Sequence, residues 1–248
     1  MASPLESDAG MKHLDLIYSS AGNERFTYLA LKHGWRAGAR LPSTVYAAPF
    51  FSDQNWRAPA KEVYMSQLEI HRPQLATVLD WERYDQMEDV FEWAEEAAQY
   101  VETVIIIPKV FHTVPMIPSH IGGKSVRLGY SVPTQHGGTP LPLWDFRGRE
   151  VHLLGGSPQE QLRLSRHLNV VSADANYHQK MAVKYAAFWV NGTAHGTKNR
   201  YFPSLSNIGN QTRDDAPYIA FEMSCINIIQ AWRGQGYLVN QETVLATC

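Results

Sequence analysis

Residues 151–176 read VHLLGGSPQEQLRLSRHLNVVSADAN. Two short apolar runs, VHLLGG (151–156) and NVVSADAN (169–176), enclose one amphipathic stretch. That order predicts a strand, a helix and a second strand, the unit from which parallel sheets are built. Ser157-Pro158-Gln159-Glu160 has the form of a capping box with proline at the first helical position, so the helix is expected to start there. The second strand ends on Asp174, where a buried run meets solvent. By period-two alternation Ser172 and Asp174 share one face of it, and Ala173 and Ala175 the other.

The same unit recurs outward from this stretch. DLIYSS (15–20) precedes NERFTYLALKHG, in which Phe26, Leu29, Ala30 and Leu31 fall at helical spacing and Gly34 is a natural C-cap. VYAAPFFSD (45–53) reads as a strand and AKEVYMSQLEIHR (60–72) as the helix after it. LATVLDWE (75–82) and VFEWAEEAAQYV (90–101) repeat the pair. TVIIIPK (103–109) is continuously apolar and β-branched, as a strand buried on both faces should be. VRLGYS (126–131) follows, and residues 132–149 form a Pro- and Gly-rich excursion expected to sit over strand ends. Further helices are expected near 178–190 and 217–233. Roughly seven or eight strand candidates alternating with helices favour a closed TIM-type (β/α)8 barrel, regular or irregular, over an open sheet. The expected organisation is a disordered tail over 1–12 and one barrel domain over 13–248.

Composition bounds the function. The 248 residues carry 22 basic and 24 acidic side chains, a net charge of −2, so no global charge marks a nucleic-acid binder and any basic patch must be local. Two cysteines, Cys225 and Cys248, are too few for a disulfide framework or a Cys-rich zinc site. The start, MASPLESDAG, lacks an apolar signal core, and no later run approaches the roughly 20 residues that span a bilayer. A soluble, cytoplasmic protein with no membrane partner is expected.

Barrel chemistry sits at the C-terminal ends of the strands. The polar residues that close the apolar runs are Asp53, Asp80, Glu82, Lys109, Gly129, Ser131, Gly155, Gly156 and Asp174. Each has a plain structural alternative. A strand-end aspartate often caps the next helix, as Asp174 would if it only capped one beginning near Tyr177, and Gly155 and Gly156 would do no more than tighten a turn. Three aspartates at three strand ends carry a stronger implication together. Converging carboxylates divide into an ionised nucleophile and a protonated acid, the pair needed to break a glycosidic bond. The ten histidines show no close-spaced ligand pair, so no metal or other cofactor is expected, and His112, His152 and His178 read as packing or hydrogen-bonding residues. No nucleophile elbow, phosphate-binding loop or dinucleotide fingerprint is present.

The order of these motifs resembles that of the tRNA-guanine transglycosylases, and especially their DNA-acting relatives, from about residue 45 to 180. The resemblance implies a barrel enzyme that exchanges guanine for a 7-deazaguanine by double displacement at the anomeric carbon. FFSDQN resembles the strand end bearing the general acid, which implies that role for Asp53. LATVLDWE is similar to the strand whose aspartate reads the guanine edge, which implies Asp80. Where the family places a base-binding glutamine, IIIPKVFH brings Lys109. RLGYS resembles the strand whose glycine backbone contacts the base, which implies Gly129. VHLLGG resembles the family's glycine-rich strand, with Gly155 and Gly156 near the sugar or phosphate, and VVSADAN the strand delivering the nucleophile, which implies Asp174. Trp56 or Tyr130 would stack on the base. Two departures stand out: Gln54-Asn55-Trp56 replaces the family's small-residue continuation, and its zinc motif of three cysteines and a histidine is absent. The resemblance therefore implies a nucleic-acid partner, DNA rather than tRNA, together with a purine or 7-deazapurine base. An N-glycosidase using water as acceptor, and a catalytically inactive base-binding barrel, remain open.

Overall fold

A computed structural model describes residues 12–19, 23–134, 137–192, 201–205 and 214–240. The expected tail lies outside these residues except for Lys12, which opens the first strand, and Cys248 lies outside them as well. Eight parallel strands close into a barrel: β1 (Lys12–Ser19), β2 (Arg36–Arg40), β3 (Phe51–Asp53), β4 (Leu75–Thr77), β5 (Thr103–Ile106), β7 (Lys124–Ser131), β8 (Glu150–Leu154) and β9 (Asn169–Ala175). Closure is the β1–β9 ladder, with Asp15 opposite Ser172 and Ile17 opposite Asp174. A two-residue strand, β6 (His120–Ile121), folds back antiparallel on β7, and β10 (Tyr237–Val239) pairs with the first residues of β1.

The barrel is TIM-type with irregular crossovers. Helices α1 (Glu24–Lys32), α2 (Lys61–His71), α3 (Met87–Ala97), α4 (Pro158–Leu164) and the pair α5 (Tyr177–Tyr185) and α6 (Ala216–Gly234) follow β1, β3, β4, β8 and β9. Among the described residues no α-helix follows β2, β5 or β7. The expected strand over 45–53 is real only at 51–53; residues before it are the β2–β3 crossover, and RAGAR (36–40) is a strand that the apolar pattern does not announce. Within the 132–149 excursion, Thr139 exchanges hydrogen bonds with Ser131, the last residue of β7. It then returns to the start of β8 with Phe146 buried edge-on against Tyr130.

Helix ends follow local chemistry. Asn23 accepts from the Phe26 amide to start α1, and Gly34, at φ +82°, follows its C-cap His33. The expected capping box at α4 does not form. Ser157 is the N-cap and proline occupies the first turn, but the Ser157 side chain makes no capping bond, and Glu160 pairs with Arg163 one turn on.

Alternation along each strand sorts the core into two parts. Leu16, Tyr18, Val104, Ile106, Leu128, Tyr130, Leu153 and Ala173 face outward and pack with Phe26, Ala30, Leu68, Val90 and Ala94 of the helices. A separate plug of Ile17, Phe51, Leu75, Ile105 and Ile107 fills the barrel interior. Two glycines make room for it. A Cβ on Gly38 would lie 2.7 Å from Ile17 Cγ2, and one on Gly129 only 2.5 Å from Ile107 Cγ1. Where β10 ends, below the start of β2, the Asn240 side chain replaces a strand backbone: its Oδ1 accepts from Leu16 N–H, and its Nδ2 donates to Leu16 O and to Gly34 O.

Candidate active site

Above the plug, the inward positions turn polar. Asp53 follows Phe51 on the inner face of β3, and Asp174 follows Ser172 on the inner face of β9. Asp53 Oδ1 accepts from Thr77 Oγ1 at 2.7 Å, and Thr77 Oγ1 in turn accepts from the Gln54 N–H at 3.0 Å. Burial, with the negative charge of Asp174 behind it, pushes the Asp53 carboxyl up to about 7; the Thr77 bond opposes this, Asp80 adds to it and Arg40 relieves it. The charge of Asp174 therefore reaches Asp53 across the barrel mouth.

Asp174 is buried among donors. Oδ2 accepts from Ser19 Oγ at 2.5 Å, and Oδ1 accepts from the Gly155 N–H at 3.2 Å and lies 3.3 Å from His152 Nε2. Gly155 reaches this position at φ +63°, and Gln161 of α4 braces the turn by donating to both Gly155 O and Asp174 O. Asp174 does not cap α5, whose N-cap is Asn176, so the capping alternative is not the observed geometry.

His152 is fully buried inside the barrel, stacked on Phe51 with ring centroids 4.7 Å apart. Its Nδ1 lies 2.7 Å from Ser172 Oγ, which accepts from Arg127 Nη1 at 2.8 Å. Burial pulls the imidazole below its ordinary value, with Asp174 opposing.

A second group stands on the loops after β4 and β5. Lys109 Nζ lies 2.7 Å from Asp80 and 2.8 Å from Glu82. Burial raises the Asp80 carboxyl, and Lys109 opposes it. For Lys109, burial pulls downward, but the carboxylates of Asp80 and Glu82 outweigh it and leave the ammonium above its ordinary value. Gln54 is 1 % exposed, and its side-chain amide lies beside Asp80, where it favours that group's charged form.

The expected site residues thus divide. Asp53, Asp174, Asp80, Lys109 and Gly155 gather at the mouth. Gly129 faces inward one level lower, where Ile105, Ile107 and Leu154 occupy the space a side chain would need. Gly156 is required by a close approach, since a Cβ there would lie 2.3 Å from Val132. Trp56 is 43 % exposed on the loop after β3, with the Arg57 guanidinium 4.8 Å from its ring centre. Tyr130 requires a correction: beside an inward Gly129 it must face outward, and it is buried against Phe146 where no base could stack. Reading single residues misses Ser19, Thr77, His152 and Arg127. For His152 the one available signal is its register on a strand next to that of Ser172 and Asp174. Among the described residues no set of three His, Cys, Asp or Glu side chains is arranged to hold a metal ion, and no helix is long and apolar enough to cross a membrane.

A family model described as a family of unknown function (DUF6610) matches residues 30–220, a span that includes Asp53, Asp80, His152 and Asp174. No curated protein matches the chain.

Proposed function

Because the chain belongs to DUF6610, a family of unknown function, its chemistry has to be read from the barrel mouth itself, and we propose that it is a base-exchanging glycosyltransferase acting on nucleic acid, DNA in preference to tRNA. The observation that carries this reading is the pairing of unlike carboxyls. Asp53 holds its proton to about neutral pH, while Asp174 stands among groups that donate to it. Two carboxyls with separated roles are what acid-assisted displacement at an anomeric carbon requires.

In the forward half-reaction an Asp174 oxygen attacks the anomeric carbon. The electron pair of the breaking C–N bond passes to the departing base, which takes the Asp53 proton. In the second half, the incoming base nitrogen displaces Asp174 and returns its proton to Asp53. Asp80 and Lys109 set an acceptor beside a donor, a match for the edge of a guanine or 7-deazaguanine that carries an amino group next to a ring carbonyl. The buried side-chain amide of Gln54 stands beside Asp80 on the same side. A base within a duplex would have to be flipped out to reach this mouth, and the exposed Trp56 offers a surface on which to stack it.

The test is incorporation of labelled guanine into DNA and tRNA, combined with denaturing gels that retain a covalent adduct. Wild type should form the adduct and Asp174→Ala should not. Asp53→Ala should slow its formation by about a hundredfold to ten-thousandfold, the usual worth of a general acid. An adduct that persists in Asp174→Ala would sink the nucleophile assignment. Base release without incorporation would identify a hydrolase.

A further inference from the structure

We infer that His152 is a positioning residue for Asp174, held as the neutral tautomer with its proton on Nε2 by a donor chain that starts at Arg127. The catalytic consequence rests on the role proposed for Asp174; the tautomer itself does not.

The chain fixes its own direction. A guanidinium has donors only, so Arg127 Nη1 must donate to Ser172 Oγ. The Ser172 hydroxyl has a single proton, and the atom 2.7 Å away that can receive it is His152 Nδ1. With Nδ1 accepting, the ring proton sits on Nε2 and is aimed at Asp174 Oδ1, 3.3 Å away. The opposite arrangement puts a bare Nε2 against a carboxylate oxygen and demands a proton on Asp174. Ser19 and the Gly155 amide already donate to that carboxylate, so its other contacts call for no such proton.

The surroundings keep the ring neutral. It is sealed inside the barrel and stacked on Phe51. The charged groups that act on it are Asp174 and the more distant Asp15, which favour a cation, and Arg127, which opposes one. Arg127 is anchored by Glu150 at 3.5 Å, and Asp15 is already paired with Arg36 at 2.9 Å. The arrangement resembles in logic a carboxylate that orients a catalytic imidazole, with the roles reversed: here an imidazole orients a carboxylate. Its effect would be to hold Oδ1 to the barrel wall and fix the rotamer of Asp174.

Nitrogen NMR of the full chain labelled with 15N-histidine tests the tautomer without any substrate. The expected signature for His152 is a protonated Nε2 and a bare Nδ1, unchanged from mildly acid to mildly alkaline pH. A proton on Nδ1, or an imidazolium at neutral pH, would overturn the inference. Two variants test positioning. His152→Phe keeps the stack on Phe51 and loses the donor, whereas His152→Gln keeps an N–H in reach of Asp174. The Asp174 carboxyl carbon resonance should move in the Phe variant and return in the Gln variant. Base exchange should fall about tenfold to a hundredfold in the Phe variant, the range known for partners that orient metal-binding histidines, and recover with Gln. Equal exchange and an unmoved resonance in the Phe variant would refute a positioning role. If wild type exchanges no base, the proposed function fails while the two NMR results still decide this inference.

Discussion

Thr77 Oγ1 stands 2.7 Å from Asp53 Oδ1 and accepts from the Gln54 amide, so its own proton has one place to go, the Asp53 carboxyl. This bond is the largest influence holding that carboxyl down. Thr77→Val should therefore raise the Asp53 titration above about 7, as read by carboxyl carbon NMR. It should also cost about 1 to 3 kcal/mol of stability, because the buried Gln54 N–H loses its acceptor. Thr77→Ser should restore both; an unshifted titration in the Val variant would show that the bond is absent.

Asp53 should also leave a mark on stability against pH. Its folded value is raised from the ordinary 3.8 to about 7. Between those values the folded chain holds a proton that the unfolded chain has released, so stability falls as the pH rises. The contribution is whole below 3.8 and lost by about 7, a decline on the order of a few kcal/mol after allowance for partial exposure. Asp53→Asn should remove the decline and be more stable than wild type in mild alkali. Urea midpoints of the two proteins across this range would check it, and parallel curves would count against a strained Asp53.

Gly129→Ala should destabilise by about 1 to 3 kcal/mol through overpacking of the interior plug, since its Cβ would lie 2.5 Å from Ile107 and 2.9 Å from Leu154. Ile107→Ala should be costly alone yet less so when combined with Gly129→Ala. A double-mutant cycle with strong coupling is the expected result; simple additivity would mean the barrel relaxes elsewhere.

Lys109→Met should leave Asp80 without its counter-ion in a nearly buried site. The expected loss is on the order of 1 to 3 kcal/mol at neutral pH, with Asp80 titrating higher than in wild type. Replacing both by apolar residues should recover most of that loss, because desolvation no longer applies. Base binding, if the proposed function holds, should not return with it.

Much of the fold is legible in one dimension. The long apolar or amphipathic runs announce β1, α1, α2, α3, β5, β7, β8 and β9, and the barrel follows from their alternation. RAGAR escapes notice because its inward residues are Arg36, Gly38 and Arg40 and its outward ones are two alanines, so a real barrel strand shows no hydrophobic signal. The three-residue β10 is too short to show a period. At the site, strand-end position finds the aspartates and Lys109. Residue type alone misplaces Tyr130, although the alternation that aims Gly129 inward also turns its neighbour out. His152 reads as a packing or hydrogen-bonding residue with no partner named, because Ser172 and Asp174 lie on another strand and only the register of the sheet brings them to it.

The side-chain amide of Asn240 meets the backbone of Leu16 across 224 positions of chain. On a ribosome, β1 is made long before these partners, and parts of its edges stay unsatisfied until β9 and then β10 have emerged. At roughly 5 to 20 residues per second that wait is on the order of ten to forty seconds. For that interval the nascent chain carries an open strand edge able to pair with a neighbouring chain. Among the described residues Asn240 is what meets the Leu16 N–H and C=O, so a message truncated shortly before that codon would yield a protein whose β1 lacks this partner.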